Sequence, residues 1–177
     1  MRLPRNTLVL ALLMMAGCGG GGGDVGVPDV AGGVLQPGGP AEVDLMPARS
    51  DYRVGETVIL DVVVRRAENV GTVVFHLRYD SGALEFIPPG VEGTWMNSDG
   101  STTIFLATEA GPGELVVGLS RSGAGTGIDG EGRLVTFRFL AVGEGASDFA
   151  FSGASVKDPT ARNLPAVFLT RQVQVAR

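Results

Sequence analysis

The sequence contains little of the chemistry that most catalytic and metal sites require. One cysteine and one histidine among 177 residues exclude an internal disulfide, a cysteine-rich zinc site and any site with several histidine ligands. One tryptophan and two tyrosines provide few aromatic platforms. The net charge is −5 and no basic run is present, which argues against charge-driven binding of nucleic acid or anionic lipid.

Three short motifs look like sites but fail on their context. His76, the only imidazole, is predicted mid-strand, where it is not expected to serve as a base beside a nucleophile. Residues 125–130 match G-x-G-x-x-G, but a strand follows where that motif needs a helix. Residues 97–100 look like part of a calcium loop, but Trp95 occupies the place of the first acidic ligand. We therefore predict no metal, no cofactor and no enzymatic activity.

The N-terminus predicts secretion with lipid attachment. Residues 1–17 combine two arginines with an apolar run at 8–16, the pattern of a signal peptide. Small residues then precede Cys18, which resembles the bacterial lipobox and predicts a lipid on that thiol. The alternative is an ordinary signal peptide that happens to end at a cysteine.

Residues 18–40 are predicted to form a flexible linker. Ten glycines lie between positions 19 and 39, and such a composition opposes both helix and strand. Glycine rather than aspartate follows Cys18, which favours the outer membrane of a Gram-negative bacterium. We therefore expect a secreted protein, lipid-anchored at the cell envelope and holding its domain away from the membrane.

Residues 41–177 are predicted to form one all-β domain. Apolar residues recur with period two, and glycine, proline and aspartate turns separate the runs, as in a β-sandwich. No segment has the period of a capped helix. Nine strands are predicted, at 42–46, 57–65, 71–79, 84–87, 103–108, 114–120, 133–142, 147–151 and 166–175.

Three marks in this domain resemble cohesin modules, which dock dockerins in cellulosomes. Residues 55–58 (GETV) resemble the start of the second cohesin strand, residues 79–85 (YDSGALE) the turn that follows the third, and residues 128–139 (IDGEGRLVTFRF) the G-x-G-x-L segment. The resemblance covers residues 43–176. It implies a nine-stranded jelly-roll β-sandwich without catalytic activity.

The resemblance also implies a partner surface. By position, it places Thr72 and Val74 on the dockerin-contact face, together with Ser120, Arg121 and Ser122 in a loop. Type I cohesins commonly have Asn and Asp where Thr72 and Val74 stand. Strand alternation adds two further residues to this face, His76 and Arg78. Such a mixed apolar and basic strip is consistent with a protein partner and equally with a solvated surface.

Two functions follow as hypotheses. The first is docking of a dockerin-like or other envelope protein, possibly in polysaccharide breakdown. The alternative is a carbohydrate-binding module that binds polysaccharide directly, with Trp95 stacking on a sugar ring. The competing interpretation of Trp95 is a loop anchor packed on the edge of the sandwich.

Overall fold

The computed structural model describes residues 39–123 and 125–177. The predicted signal peptide at 1–17, the predicted lipid site at Cys18 and nearly all of the predicted linker lie outside these residues. Within the described ranges, none of the chain forms a helix long and apolar enough to cross a membrane.

The prediction of an all-β domain is confirmed. Twelve strands form among the described residues: β1 Ala41–Pro47, β2 Asp51–Arg53, β3 Thr57–Val70, β4 Thr72–Arg78, β5 Leu84–Glu92, β6 Thr102–Gly111, β7 Glu114–Ser122, β8 Ile128–Ala141, β9 Gly145–Lys157, β10 Asn163–Leu164, β11 Ala166–Phe168 and β12 Arg171–Ala176.

The predicted count of nine strands was wrong for two reasons. Strands β2 and β10 have only three and two residues, too few for a period-two pattern to be recognised. The predicted last strand at 166–175 is two strands in different sheets. Its first part, β11, pairs with β1, whereas β12 pairs with β9 and β2. Apolar residues on both sides of Thr170, Arg171 and Gln172 made the two strands look like one.

The strands form two sheets that pack face to face. One sheet has the order β11-β1-β3-β8-β5, and the other has the order β2-β12-β9-β4-β7-β6, with β10 paired to β9. The space between them is filled by alternate residues of the long strands. Four phenylalanines lie almost completely buried there: Phe75, Phe137, Phe139 and Phe149. The ring centroid of Phe139 lies 6.4 Å from that of Phe137 and 5.2 Å from that of Phe149, the usual spacing of aromatic pairs.

Residues of the three motifs that resemble cohesins serve in backbone conformation, strand pairing and core packing. Gly55 and Gly130 have φ values of 90° and 103°, a region that favours glycine. Gly130 pairs with Ala67 inside the irregular beginning of β8. The ring of Tyr79 is buried, and its hydroxyl donates to Oε1 of Glu109 at 2.9 Å. These residues therefore maintain the fold.

Candidate docking face

Strand β4 presents the four residues predicted for its outer side. Thr72, Val74 and His76 are partly exposed and Arg78 is exposed, while the residues between them are buried. The predicted alternation is confirmed. Because β4 pairs with β7 on one side and β9 on the other, these side chains lie on a central strand, away from the edges of the sheet.

Neighbouring strands extend this surface in register. Val74 lies opposite Gly118 of β7, which in turn lies opposite Leu106 of β6. We call the whole surface the β4 face. It consists of Thr72, Val74, His76 and Arg78 on β4, Ile104, Leu106 and Thr108 on β6, Glu114, Val116, Gly118 and Ser120 on β7, and Ala150, Ser152, Ser155 and Lys157 on β9.

The centre of the β4 face is uncharged and partly apolar. Ile104 and Leu106 are 64% and 55% exposed, although side chains of this kind are usually buried. Sequence reasoning missed both. In β6 the inward residues Phe105 and Ala107 are also apolar, so the local pattern does not distinguish the two sides of the strand. Contiguous apolar surface of this kind commonly marks an interaction site.

Charges lie only at the two ends of the β4 face. At one end Nδ1 of His76 is 2.9 Å from Oε1 of Glu114, and Nε of Arg78 is 3.8 Å from the same oxygen. The hydrogen bond with His76, followed by the charge of Arg78, lowers the pKa of Glu114 below its usual range. Lys157 lies at the other end, opposite Thr72.

Two of the three residues predicted in a loop lie at this surface, and one does not. Strand β7 continues through Ser122, so alternation turns Ser120 outward and Arg121 inward. Oγ of Ser120 is 2.9 Å from Oγ1 of Thr72 on the β4 face. Ser122 is exposed at the end of the strand.

Arg121 is a correction to the predicted partner-binding set. Its side chain is only 1% exposed, and it donates to the carbonyl of Met96 at 2.5 Å and to Oγ of Ser101 at 2.8 Å. It also donates to Oδ2 of Asp99 at 2.5 Å, and this hydrogen bond holds the pKa of Asp99 well below its ordinary value. Arg121 therefore anchors the loop between β5 and β6 and does not offer its charge to a partner.

Trp95 does not have the exposed ring that sugar stacking requires. It is 7% exposed and packs against the irregular beginning of β8, where a Cβ added to Gly132 would lie 2.6 Å from Cβ of Trp95. The bulky residues that are exposed in the described domain are all aliphatic or methionine, with no aromatic ring among them. The interpretation as a loop anchor agrees with this burial, and the prediction of stacking on Trp95 does not.

Metal binding also has no support at the described positions. No group of three or more His, Cys, Asp or Glu side chains in residues 39–123 and 125–177 is arranged to hold a metal ion. The functional surface suggested by geometry is therefore the β4 face rather than a polar cluster.

Comparison by sequence finds no relatives for this chain. No family model matches it, and no curated protein matches it.

Comparison of structures gives a consistent answer. A non-cellulosomal cohesin of Archaeoglobus fulgidus aligns over 78% of this chain and 93% of its own, with 16% identity and a TM-score of 0.65. The sixth cohesin of Acetivibrio cellulolyticus scaffoldin B, solved in complex with a dockerin, aligns over 78% and 100%, with 19% identity and a TM-score of 0.64. A type II cohesin module of the adaptor scaffoldin from the same organism aligns over 78% and 92%, with 12% identity and a TM-score of 0.68. The described domain has the fold of a cohesin module.

Proposed function

We propose that this protein is a non-catalytic docking module of the bacterial cell envelope, which binds a dockerin-like segment or another envelope protein on its β4 face. The observation that carries the proposal is the uncharged centre of this face, where Ile104 and Leu106 are exposed. Burying both on docking would contribute roughly 2–4 kcal/mol. This binding free energy accounts for the presence of Ile104 and Leu106 at the surface of the folded domain.

Fold similarity supports protein docking as the class of function. Several structurally similar cohesins were crystallised with dockerin partners. Val74 stands where type I cohesins commonly have a polar residue, and Ile104 and Leu106 are exposed on the same face, so we expect the partner of this chain to be recognised largely through apolar contact.

Direct binding of polysaccharide receives no comparable support. That alternative depended on Trp95 as a stacking platform, and the ring of Trp95 is buried. A link to polysaccharide breakdown would then come through the docked partner.

Anchoring at the envelope rests on the sequence around Cys18, and it has a direct test. Cys18→Ser removes the thiol that would carry the lipid. We expect the variant to move from the membrane fraction to the soluble fraction and to lose metabolic labelling by fatty acid. A membrane-bound variant, together with an unlabelled wild type, would overturn the lipid anchor.

Docking is tested with the wild type and two variants as baits. Each variant introduces one aspartate, and the two differ only in the face of the sandwich that carries it. Val74→Asp places a carboxylate in the centre of the β4 face, and Ile59→Asp places one on the outer face of the other sheet. Each bait, as the full chain, is used for affinity capture from the envelope fraction of the cells that make the protein. The captured partner is then purified and titrated.

We expect Val74→Asp to abolish binding, because docking would bury an unpaired charge, while its melting temperature stays near that of the wild type. Ile59→Asp should bind as the wild type does. A purified partner that binds Val74→Asp normally would place docking elsewhere on the domain. An unfolded Val74→Asp chain would mean that this side of β4 is core.

A further inference from the structure

Strand β6 is a long edge strand of the sandwich. It ends the sheet that contains β4, and among the described residues it pairs only with β7. Backbone N–H and C=O groups along the other side of its ten residues therefore have no strand partner within the described domain. The pairing with β7 is regular from Thr102 to Glu109, so this edge is straight and open to a further strand.

The other three strands that end a sheet have the protection expected of an edge. Strand β5 contains two consecutive prolines at 88–89, and its pairing with β8 shifts register there. Strands β2 and β11 have only three residues each. In β6, by contrast, residues 102–108 (TTIFLAT) contain no charge, no proline and no glycine. An edge of this composition pairs readily with another chain.

Side chains on both sides of β6 are also incompletely covered. Outward, Ile104 and Leu106 are 64% and 55% exposed. Inward, Phe105 and Ala107 are only partly buried, whereas the inward apolar residues of the neighbouring strand β7 are buried. A strand added beside β6 would pair the free backbone groups and cover apolar side chains on both sides of the sheet.

The occupant that fits this uncharged segment is a second copy of it. In an antiparallel pair, outward residues lie opposite outward residues, so the two-fold axis passes through a pair of equivalent residues. With the axis at Phe105, every residue of the segment finds a partner within the segment. Ile104 then lies opposite Leu106 of the second copy, and Thr102 lies opposite Thr108. Aliphatic, aromatic and threonine pairs of this kind stabilise antiparallel strands.

Carboxylates in and beside β6 do not oppose this pairing strongly, because each accepts a hydrogen bond from a group of the same chain. They are Glu92, Asp99, Glu109 and Glu114, whose donors are Thr103, Arg121, Tyr79 and His76. The segment at 102–108 is itself uncharged. The net charge of −5 therefore acts on the two copies mainly from a distance, where salt screens it.

We propose that two copies of this protein pair through β6 in antiparallel orientation, about a two-fold axis at Phe105, and join their β4-containing sheets into one. A single pair of strands is a small interface, so we expect a weak dimer. The β4 faces of the two copies would lie side by side on the same surface of the joined sheet. Pairing therefore goes beyond the proposed docking function and does not depend on it.

Disulfide trapping tests this register. Two full-length chains with different tags, one with Ile104→Cys and one with Leu106→Cys, are expressed together, and intact cells are treated with a mild oxidant. Residues that lie opposite each other in antiparallel strands are within reach of a disulfide. Met46→Cys with Ile59→Cys, two exposed positions on the other sheet, is the matched control for random collision. The chain's own Cys18 is present in every sample.

We expect the mixed pair to form a cross-linked heterodimer several times more abundant than that of the control pair. Thr102→Lys with Thr108→Lys, added to both chains, places like charges opposite each other and should reduce the cross-link at least about fivefold. Thr102→Lys with Thr108→Glu places opposite charges there and should retain it. Equal resistance to trypsin establishes that the variants fold.

The outcomes separate this inference from the docking function. A cross-link no stronger than that of the control pair would overturn pairing through β6. Ile104→Cys chains that cross-link to one another as strongly as the mixed pair would contradict the axis at Phe105. Val74→Asp should leave the cross-link unchanged, and its loss would mean that the copies meet through the β4 face. Absence of the cross-link would leave the docking function in place, because that function is measured with the captured partner.

Discussion

The two outer surfaces of the sandwich are both formed by the outward side chains of long strands, but they differ in where charged and apolar residues lie. On the sheet containing β3, charged residues of β1 and β3 bind one another beside exposed apolar residues such as Met46 and Ile59. Oδ2 of Asp44 accepts hydrogen bonds from Arg65 at 3.1 Å and from Arg171 at 2.8 Å, and Arg65 also binds Glu42 at 3.1 Å. On the β4 face, Val74 and Gly118 stand at the centre and the charges lie at the ends.

On the first surface, buried charges are paired with groups of the same chain, whereas the two most exposed aliphatic residues lie on the β4 face. The carboxylate of Asp44 is 4% exposed, and its hydrogen-bonding positions are filled by groups of the same chain. Ile104 and Leu106 on the β4 face are 64% and 55% exposed, and the other sheet exposes Val91, Met46 and Ile59 at 54%, 45% and 44%. A partner gains little by replacing internal ion pairs, but gains hydrophobic free energy by covering exposed aliphatic residues. We therefore expect docking at Ile104 and Leu106, the two most exposed aliphatic residues of the described domain, and not at the paired charges around Asp44.

The largest effect is expected from the core that both surfaces share. Phe137 is completely buried and contacts the rings of Phe86 and Phe139. Phe137→Ala should lower the free energy of unfolding by about 3–5 kcal/mol, and Phe137→Leu should cost much less. Urea titration measures both. A loss below about 1 kcal/mol would place Phe137 outside the core and contradict the register of β8.

A smaller effect is expected on the ion-paired surface. Asp44→Asn keeps the shape of the side chain but removes the charge that Arg65 and Arg171 share, and should lower the free energy of unfolding by about 1–3 kcal/mol. Docking should be unaffected. Glu68→Gln, at an exposed position, removes the same charge and should change stability little. Equal losses in the two variants, measured by thermal melting, would show that net charge rather than this network is responsible.

A still smaller effect is expected at the rim of the β4 face. Arg78→Ala should weaken docking by less than about tenfold, because an exposed charge contributes mainly to encounter. The loss should shrink as salt rises from about 0.05 M to 0.5 M, since salt screens exposed charges. Titrations at both concentrations check this. A loss independent of salt would mean that Arg78 is buried in the complex.

An effect confined to high pH concerns the end of the sandwich near Tyr79. Burial, reinforced by the hydrogen bond to Glu109, raises the pKa of Tyr79 from 10.0 to about 12. Because the folded state holds this proton more tightly, Tyr79 contributes stability below pH 10 that is lost as the pH rises toward 12. Tyr79→Phe should therefore show a shallower loss of stability in this window. Identical profiles for the two proteins, followed by circular dichroism, would contradict the shift.

The β4 pattern was readable from the sequence, but the rest of the face was not. In β4 the inward residues are bulky and apolar and the outward ones are mixed, so period two identified both sides. In β6 both sides are apolar, and only pairing with β7 places Ile104 and Leu106 outward. Strand β7 continues through Ser122, and its alternation turns Arg121 inward. There Arg121 binds Ser101 in the loop between β5 and β6, twenty residues earlier in the chain.

The sequence by itself determined the class of fold and the outward residues of β4. Alternation and turn residues act over a few positions, so they can be read from neighbours along the chain. Only the tertiary structure decided which residues share a surface with β4. Thr72 and Ser120 are 48 positions apart and meet within hydrogen-bond distance, and Val74, Gly118 and Leu106 form one row only because β4 and β6 flank β7. Such rows across strands are set by long-range pairing and by the choice of the side that faces the core, and no local pattern specifies either.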